Sequence, residues 1–167
     1  FKEMGNPQGA VGELKEGLND PQAPSILWFT IESAYQEMGD QTELDNFYRS
    51  VLEKFPNNIF WLYRIGAYYQ DKGNYTKAHQ YLKEVWELSL QQENQELSVL
   101  MAYLRNLYEI GNYDDAFTMA SEYIDAPVAA PGAYNYMALI QFKQNQPDNA
   151  YESFQKALDK AGVGDRM

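Results

Sequence analysis

The segment Lys72-Gly73-Asn74-Tyr75 recurs along this chain at a regular spacing. Related segments are Met38-Gly39-Asp40, Ile110-Gly111-Asn112-Tyr113 and, in a degraded form, Gln144-Asn145-Gln146-Pro147. From residue 39 to 73, from 73 to 111 and from 111 to 145, the steps are 34, 38 and 34 residues. Five positions after each of these centres lies a small or apolar residue, namely Leu44, Ala78, Ala116 and Ala150. Such a period indicates a repeat architecture.

Each period predicts two helices joined by a tight turn. Within residues 59–92, the first apolar stripe has the spacing of one helix face and consists of Leu62, Ile65, Gly66 and Tyr69. The turn follows at Gly73, because glycine can adopt the left-handed conformation that ends a helix. A second stripe then runs through Tyr75, Ala78, Leu82, Val85 and Leu88. Neither helix could bury its stripe alone, so we expect an antiparallel pair that crosses at the small Ala78.

In these features the chain resembles the tetratricopeptide repeat family. The matching residues, unit by unit, are Trp28, Tyr35, Gly39, Tyr48 and Pro56; Leu62, Gly66, Tyr69, Gly73, Tyr75 and Ala78; Leu100, Leu104, Leu107, Gly111, Tyr113 and Ala116; and Tyr134, Ala138, Ala150, Phe154, Ala157 and Leu158. Glu32, Leu44 and Gln141 depart from the family pattern. The resemblance implies an all-α, right-handed α-solenoid of antiparallel helix pairs. It also implies a non-catalytic scaffold for protein–protein interaction.

The period divides the chain into repeat units. We expect full units at residues 25–58, 59–92, 97–130 and 131–164, with an insertion at 93–96 and a tail at 165–167. Residues 1–24 fit the C-terminal part of a truncated unit. A solenoid usually ends in a polar capping helix, and neither end of this sequence supplies one. We therefore expect the array to continue beyond at least one end of this sequence.

Composition excludes several classes of protein. The chain has 13 Lys and Arg against 24 Asp and Glu, a net charge of −11, with no Cys and one His. The missing cysteines exclude a disulfide-stapled module and thiolate metal sites, and one histidine cannot form a multi-histidine site, so we expect neither metal nor cofactor. The negative charge opposes nucleic-acid binding. No apolar stretch reaches the roughly 20 residues of a membrane helix, and the compartment, cytoplasmic or periplasmic, stays open.

The net negative charge lies before Ala126, since acids and bases balance from there to Met167. It is either a solvated surface or a docking face for a basic partner.

No group of residues predicts catalysis. His79 lies in the middle of a predicted helix, without the serine and aspartate arrangement that a nucleophilic triad needs. The adjacent Asp114 and Asp115 are better explained as charges at a helix N-terminus. The sequence Asn74-Tyr75-Thr76 matches the glycosylation pattern, but Asn is also expected there as a turn residue. We therefore expect a protein that is not an enzyme.

The candidate site is a surface. The resemblance places the first helix of each repeat along a concave groove, and the predicted partner-binding residues are Phe29, Ser33, Gln36, Phe60, Tyr63, Arg64, Gln70, Met101, Arg105, Tyr108, Asn135, Tyr136, Phe142 and Lys143. Aromatic residues, Met and Arg are enriched in protein interfaces. The basic members favour a protein or peptide partner that carries acidic groups. Alternatively, the aromatic side chains pack between first helices, and the arginines pair with Asp71 or Glu109.

Three narrower functions can be compared with this prediction. The Lys and Asn set with which chaperone-binding tetratricopeptide domains hold a C-terminal carboxylate is missing from the aligned positions, so that specificity is not expected. The array could instead be the docking or regulatory arm of an enzyme whose catalytic domain lies outside this sequence. It could also be a structural scaffold that self-associates through uncapped terminal helices.

Overall fold

The computed structural model describes residues 7–18, 20, 24–93 and 96–162, and within these ranges the regular structure is entirely helical. The helices are α1 (Pro7–Gly17), α2 (Ser25–Met38), α3 (Gln41–Lys54), α4 (Ile59–Asp71), α5 (Tyr75–Gln91), α6 (Leu97–Glu109), α7 (Tyr113–Glu122), α8 (Ala130–Lys143) and α9 (Pro147–Lys160). The expectation of an all-α array of helix pairs is confirmed. Residues 1–6, part of the insertion and the whole tail lie outside the described residues.

The chain divides into two compact units. Unit 1 spans Phe1–Pro56 and contains α1 to α3, whereas unit 2 spans Asn57–Met167 and contains α4 to α9. In unit 1, α2 packs against both α1 and α3. In unit 2, consecutive helices pack against one another, and α6 also contacts α4 and α8.

The recurring segment is a helix end followed directly by a helix start. Gly73 has a φ of 73° and Asn145, which replaces glycine in the degraded copy, has a φ of 58°; Gly39 and Gly111 share this left-handed conformation. A side chain with a Cβ is strained there, and Asn tolerates it better than most residues. The next residue starts the second helix: Asn74 caps α5 by accepting a hydrogen bond from the backbone N–H of Lys77 at 3.2 Å.

Small residues allow the two helices of a pair to approach closely. Ala78, Ala116 and Ala150 are all buried, as the spacing predicts. In unit 2, Gly66 of α4 faces Leu82 of α5, and a Cβ on Gly66 would lie 2.7 Å from the Cγ of Leu82. The glycine therefore sets the distance between α4 and α5.

The core of unit 1 contains a buried carboxylate. Glu32, which departs from the family pattern, is fully buried. Its Oε1 accepts hydrogen bonds from the Tyr48 hydroxyl at 2.9 Å and from Gln36 Nε2 at 3.3 Å. Gln36 Nε2 also donates to the Tyr48 hydroxyl oxygen at 3.1 Å. These bonds offset part of the cost of burying a polar group.

His79 links two helices of unit 2. Its Nδ1 lies 2.9 Å from Oδ1 of the buried Asn106 on α6, and its ring stacks on Tyr103 with centroids 5.7 Å apart. Asn106 Nδ2 donates in turn to the backbone carbonyl of Tyr75 at 2.9 Å. The histidine thus occupies an inter-helix position with a structural partner.

The close approach at Gly66 gives a stability prediction. We expect Gly66→Ala to lower the free energy of unfolding by about 1–3 kcal/mol, because its Cβ would overpack against the buried Leu82. Gly12→Ala in α1 is the matched control: nothing lies within 4 Å of that Cβ. The control should be neutral or more stable by up to about 1 kcal/mol, since alanine favours helix more than glycine. Equal effects of both changes, measured by urea denaturation, would contradict this account.

Candidate partner-binding site

The first helices of the repeats in unit 2 lie side by side. α6 packs between α4 and α8, so side chains on the corresponding faces of these three helices share one surface. This arrangement brings several of the predicted partner-binding residues within reach of one another.

Four of these residues form a cluster across α6 and α8. The rings of Tyr108 and Tyr136 have centroids 6.1 Å apart at an angle of 59°. Arg105, on α6, is close enough to Tyr136 to act electrostatically on its hydroxyl. Met101 lies one turn before Arg105 on α6. We call Met101, Arg105, Tyr108 and Tyr136 the Arg105 cluster.

A glycine lets α8 approach this cluster. Gly132 lies one turn before Tyr136, and a Cβ built on it would lie within 3.3 Å of the Met101 Cε and closer still to the sulfur. The thioether therefore lies directly against the backbone of α8. The sequence analysis did not assign a role to Gly132, although a glycine inside a helical segment is a signal of close packing.

Among the described residues, the guanidinium of Arg105 makes one ion pair. Its Nη1 lies 3.7 Å from Oδ1 of Asp71 at the end of α4, and the two side chains are 43% and 73% exposed. This is an ion pair at more than hydrogen-bond length. Arg105 makes no side-chain hydrogen bond with any residue that the structure describes. Its donors are therefore available to a ligand.

The environment of Tyr136 favours its neutral form. Burial raises the pKa of Tyr136 above its usual value of 10.0, Arg105 opposes this shift, and Glu109 and Tyr108 add to it. Burial likewise raises the pKa of Tyr103, with contributions from Asp115 and Glu87. At neutral pH the cluster therefore offers a phenol hydroxyl and a guanidinium, both of which can donate hydrogen bonds to an anionic group.

The other predicted residues of unit 2 are distributed along the same three helices. Phe60 and Phe142 are exposed, at 52% and 65%, and Phe60 also makes an edge contact with Trp61. Asn135 and Lys143 are exposed on α8, whereas Tyr63 and Arg64 are half-buried on α4. Gln70 is only 4% exposed, and its Oε1 has no hydrogen-bond partner among the described residues. Its predicted contact with a partner stays a prediction.

Phe29, Ser33 and Gln36 lie on α2 in unit 1. Ser33 is exposed, whereas Phe29 is half-buried. Gln36 donates from its amide to Glu32 and Tyr48, so part of its hydrogen-bonding capacity serves the core.

Unit 1 also contains a cavity that the sequence analysis did not identify. Its volume is about 230 Å³, and its lining residues are Val11, Gly12, Lys15, Tyr35, Met38, Asp40 and Glu43. Lys15 Nζ donates to the Tyr35 hydroxyl at 3.2 Å and lies 3.8 Å from Glu43 Oε2. The Tyr35 hydroxyl in turn donates to Glu43 at 3.4 Å. The polar groups of this cavity pair with one another, unlike those of the Arg105 cluster.

Among the described residues, no three His, Cys, Asp or Glu side chains are placed to hold a metal ion. Nor is any helix in this part of the chain long and apolar enough to cross a membrane.

Comparison with protein families identifies the repeats. Two segments match models of the tetratricopeptide repeat, residues 62–92 and residues 133–161. The resemblance inferred from the sequence is thereby confirmed: the chain contains tetratricopeptide repeats. A comparison with curated protein sequences found no match.

Solved structures of MamA proteins share the fold. A structure described as MamA MSR-1 C2 superposes with a TM-score of 0.68 at 18% identity, over 97% of this chain and 91% of that one. MamA 41-end from Desulfovibrio magneticus RS-1 gives 0.69 at 16% identity, over 98% and 90%. Another crystal structure of MamA gives 0.69 at 16% identity, over 99% and 95%. At these identities the likeness establishes the fold. Tetratricopeptide repeats in turn support a general role as a protein-interaction scaffold and are typically non-catalytic.

The raised pKa of Tyr136 predicts how stability depends on pH. In the unfolded chain the phenol ionises near its usual value of 10.0, whereas the folded state resists ionisation. The free energy of unfolding should therefore fall as the pH rises above about 10. We expect Tyr136→Phe to reduce this loss, measured by urea denaturation between pH 8 and 11. Parallel curves for wild type and variant across that range would contradict the assignment.

Proposed function

We propose that this chain is a non-catalytic protein-interaction scaffold that binds a partner segment along the surface formed by α4, α6 and α8. The Arg105 cluster is the centre of this site, and the partner presents an acidic group beside an apolar or aromatic one. The other exposed predicted residues on these helices extend the contact. The four proposed repeats correspond to the pairs α2–α3, α4–α5, α6–α7 and α8–α9.

One observation carries the proposal. Arg105 has a half-exposed guanidinium, makes no hydrogen bond to a described residue, and acts electrostatically on Tyr136, whose ring contacts that of Tyr108. Arginine forms paired, charge-assisted hydrogen bonds with carboxylates. The adjacent rings and Met101 supply apolar area of the kind found in interface hot spots. Together they can recognise a carboxylate and an apolar side chain at once.

The net charge of −11 acts against an acidic partner at long range. This repulsion is screened over a Debye length of about 8 Å at physiological ionic strength. A carboxylate in direct contact with Arg105 is screened much less, so the local attraction decides whether the segment stays bound. The distant charges mainly slow its arrival.

The test begins with selection of peptides from a displayed random library on the immobilised protein. We expect the selected peptides to combine Asp or Glu with an aromatic or aliphatic residue. Arg105→Ala should weaken their binding about 30-fold, the effect of losing a hot spot of about 2 kcal/mol. Fluorescence anisotropy of labelled peptides measures the dissociation constant.

Lys83→Ala is the matched control for this test. Lys83, on α5, also makes one exposed ion pair, with Glu87 at 3.9 Å, so its loss removes an equivalent charge outside the proposed site. We expect this variant to bind the selected peptides like the wild type. Selected peptides that bind Arg105→Ala and wild type equally well would contradict the proposal.

A second candidate function, self-association, is favoured by α9. Tyr151 and Leu158 lie seven positions apart on one side of that helix and are 65% and 45% exposed. Two large apolar side chains on one exposed face can form part of a contact with a second copy. Light scattering over a dilution series should then show that the molar mass of the wild-type protein rises with concentration. The double variant Tyr151→Ser/Leu158→Ser should have the mass of a monomer at every concentration. A wild-type monomer throughout would contradict this function.

A further inference from the structure

The ion pair between Arg105 and Asp71 joins two of the helices that carry the proposed binding surface. Arg105 belongs to α6 and Asp71 is the last residue of α4. Their closest charged atoms, Nη1 and Oδ1, are 3.7 Å apart. The carboxylate therefore lies beside the guanidinium without making the short, paired hydrogen bonds that an arginine and a carboxylate can form.

This ion pair contributes little to the stability of the fold. Both side chains are largely accessible to water, at 43% and 73% exposed, and exposed pairs are weak because water and salt screen them. A weak, long pair can be broken at small cost. Asp71 thus keeps Arg105 near the junction of α4 and α6 while leaving its hydrogen-bond donors unsatisfied by the described residues.

We propose that Asp71 is an internal competitor for Arg105 and that it weakens the binding of acidic segments of a partner protein. A partner carboxylate that makes two short hydrogen bonds to the guanidinium displaces Asp71 from it. A neutral segment cannot replace the charge of Asp71, so it gains only the apolar contacts of Tyr108, Tyr136 and Met101. This inference rests on the proposed function, because it assumes that the partner occupies the Arg105 cluster.

Glu109 provides a matched control for the charge of Asp71. It lies one turn after Arg105 on α6, and it also acts on Tyr136, whose pKa it helps to raise. No ion pair joins Glu109 to Arg105 among the described residues. Glu109→Gln therefore removes one negative charge near the site and leaves the ion pair intact, whereas Asp71→Asn removes the same charge together with the competitor.

The test uses two labelled synthetic peptides with blocked ends. The first contains Asp and Glu beside Phe and Leu, and the second has the same sequence with Asn and Gln in place of the acids. Dissociation constants are measured by fluorescence anisotropy for wild type, Asp71→Asn, Glu109→Gln, Arg105→Ala and the double variant Arg105→Ala/Asp71→Asn. Circular dichroism checks that each variant is folded.

We expect Asp71→Asn to tighten binding of the acidic peptide about two- to fivefold, which corresponds to the strength of an exposed ion pair. Glu109→Gln should raise the affinity for the acidic peptide by a smaller factor. The affinity for the amide peptide should not change more with one of these substitutions than with the other. When Arg105 is already replaced by Ala, Asp71→Asn should raise the affinity for the acidic peptide only as much as Glu109→Gln does. The reason is that no guanidinium is left for Asp71 to compete for.

Other outcomes overturn one proposal or both. Suppose that Arg105→Ala weakens binding of the acidic peptide, but Asp71→Asn tightens it no more than Glu109→Gln does. The competitor role of Asp71 is then wrong, and the proposed binding site stands. If Asp71→Asn tightens binding of the acidic peptide just as much when Arg105 is replaced by Ala, the effect comes from the loss of a negative charge and not from competition for Arg105. The competitor role is again wrong. If Arg105→Ala leaves the binding of the acidic peptide unchanged, or if the acidic peptide binds neither wild type nor Asp71→Asn, both proposals fail.

Discussion

The helix pairs of this chain depend on a residue that can leave a right-handed helix with a positive φ. At Gly39, Gly73 and Gly111 glycine meets this requirement, and at Asn145 asparagine does. The chain then starts the next helix two residues later, so the two helices must lie antiparallel and in contact. This places the residue five positions after the turn at their crossing, where Ala78, Ala116 and Ala150 are buried. The turn residue, the helix cap and the residue at the crossing thus form one local structural motif.

The same local motif positions the candidate site. Because each second helix packs between consecutive first helices, α4, α6 and α8 lie next to one another in unit 2. Side chains on successive first helices then become neighbours, as Asp71 and Arg105 are. The Arg105 cluster is therefore a consequence of the repeat period, although none of its members belongs to the repeat signature.

The repeat period and the helical spacing of the apolar residues were sufficient to predict much of the fold. The buried positions Leu62, Ile65 and Ala78 follow from helical spacing alone, and the recurring segment located the turns. The buried Glu32 was visible only as a departure from the pattern. Its partners Tyr48 and Gln36 lie 16 and 4 residues away, and only the packing of α2 on α3 brings all three together.

The candidate site was less predictable than the fold. Helical spacing assigned Gln70 to the groove, yet its side chain is buried, because spacing gives the direction of a side chain but not how close the neighbouring helix lies. Both Asp71 and Glu109 were reasonable partners for Arg105 from sequence, and the packing of α4 against α6 favours Asp71.

The contact between Met101 and Gly132 has a consequence for the range of shapes that the surface can accept. Methionine is unbranched and polarisable, and it can change rotamer to fill gaps of different shape. With only a glycine backbone on the α8 side, the thioether meets no second side chain at that residue that would fix its position. In the proposed site, the planar guanidinium of Arg105 would recognise charge, and the adaptable thioether of Met101 would contact the apolar side chain of the partner. Such a site would tolerate variation in that apolar side chain more readily than variation in charge.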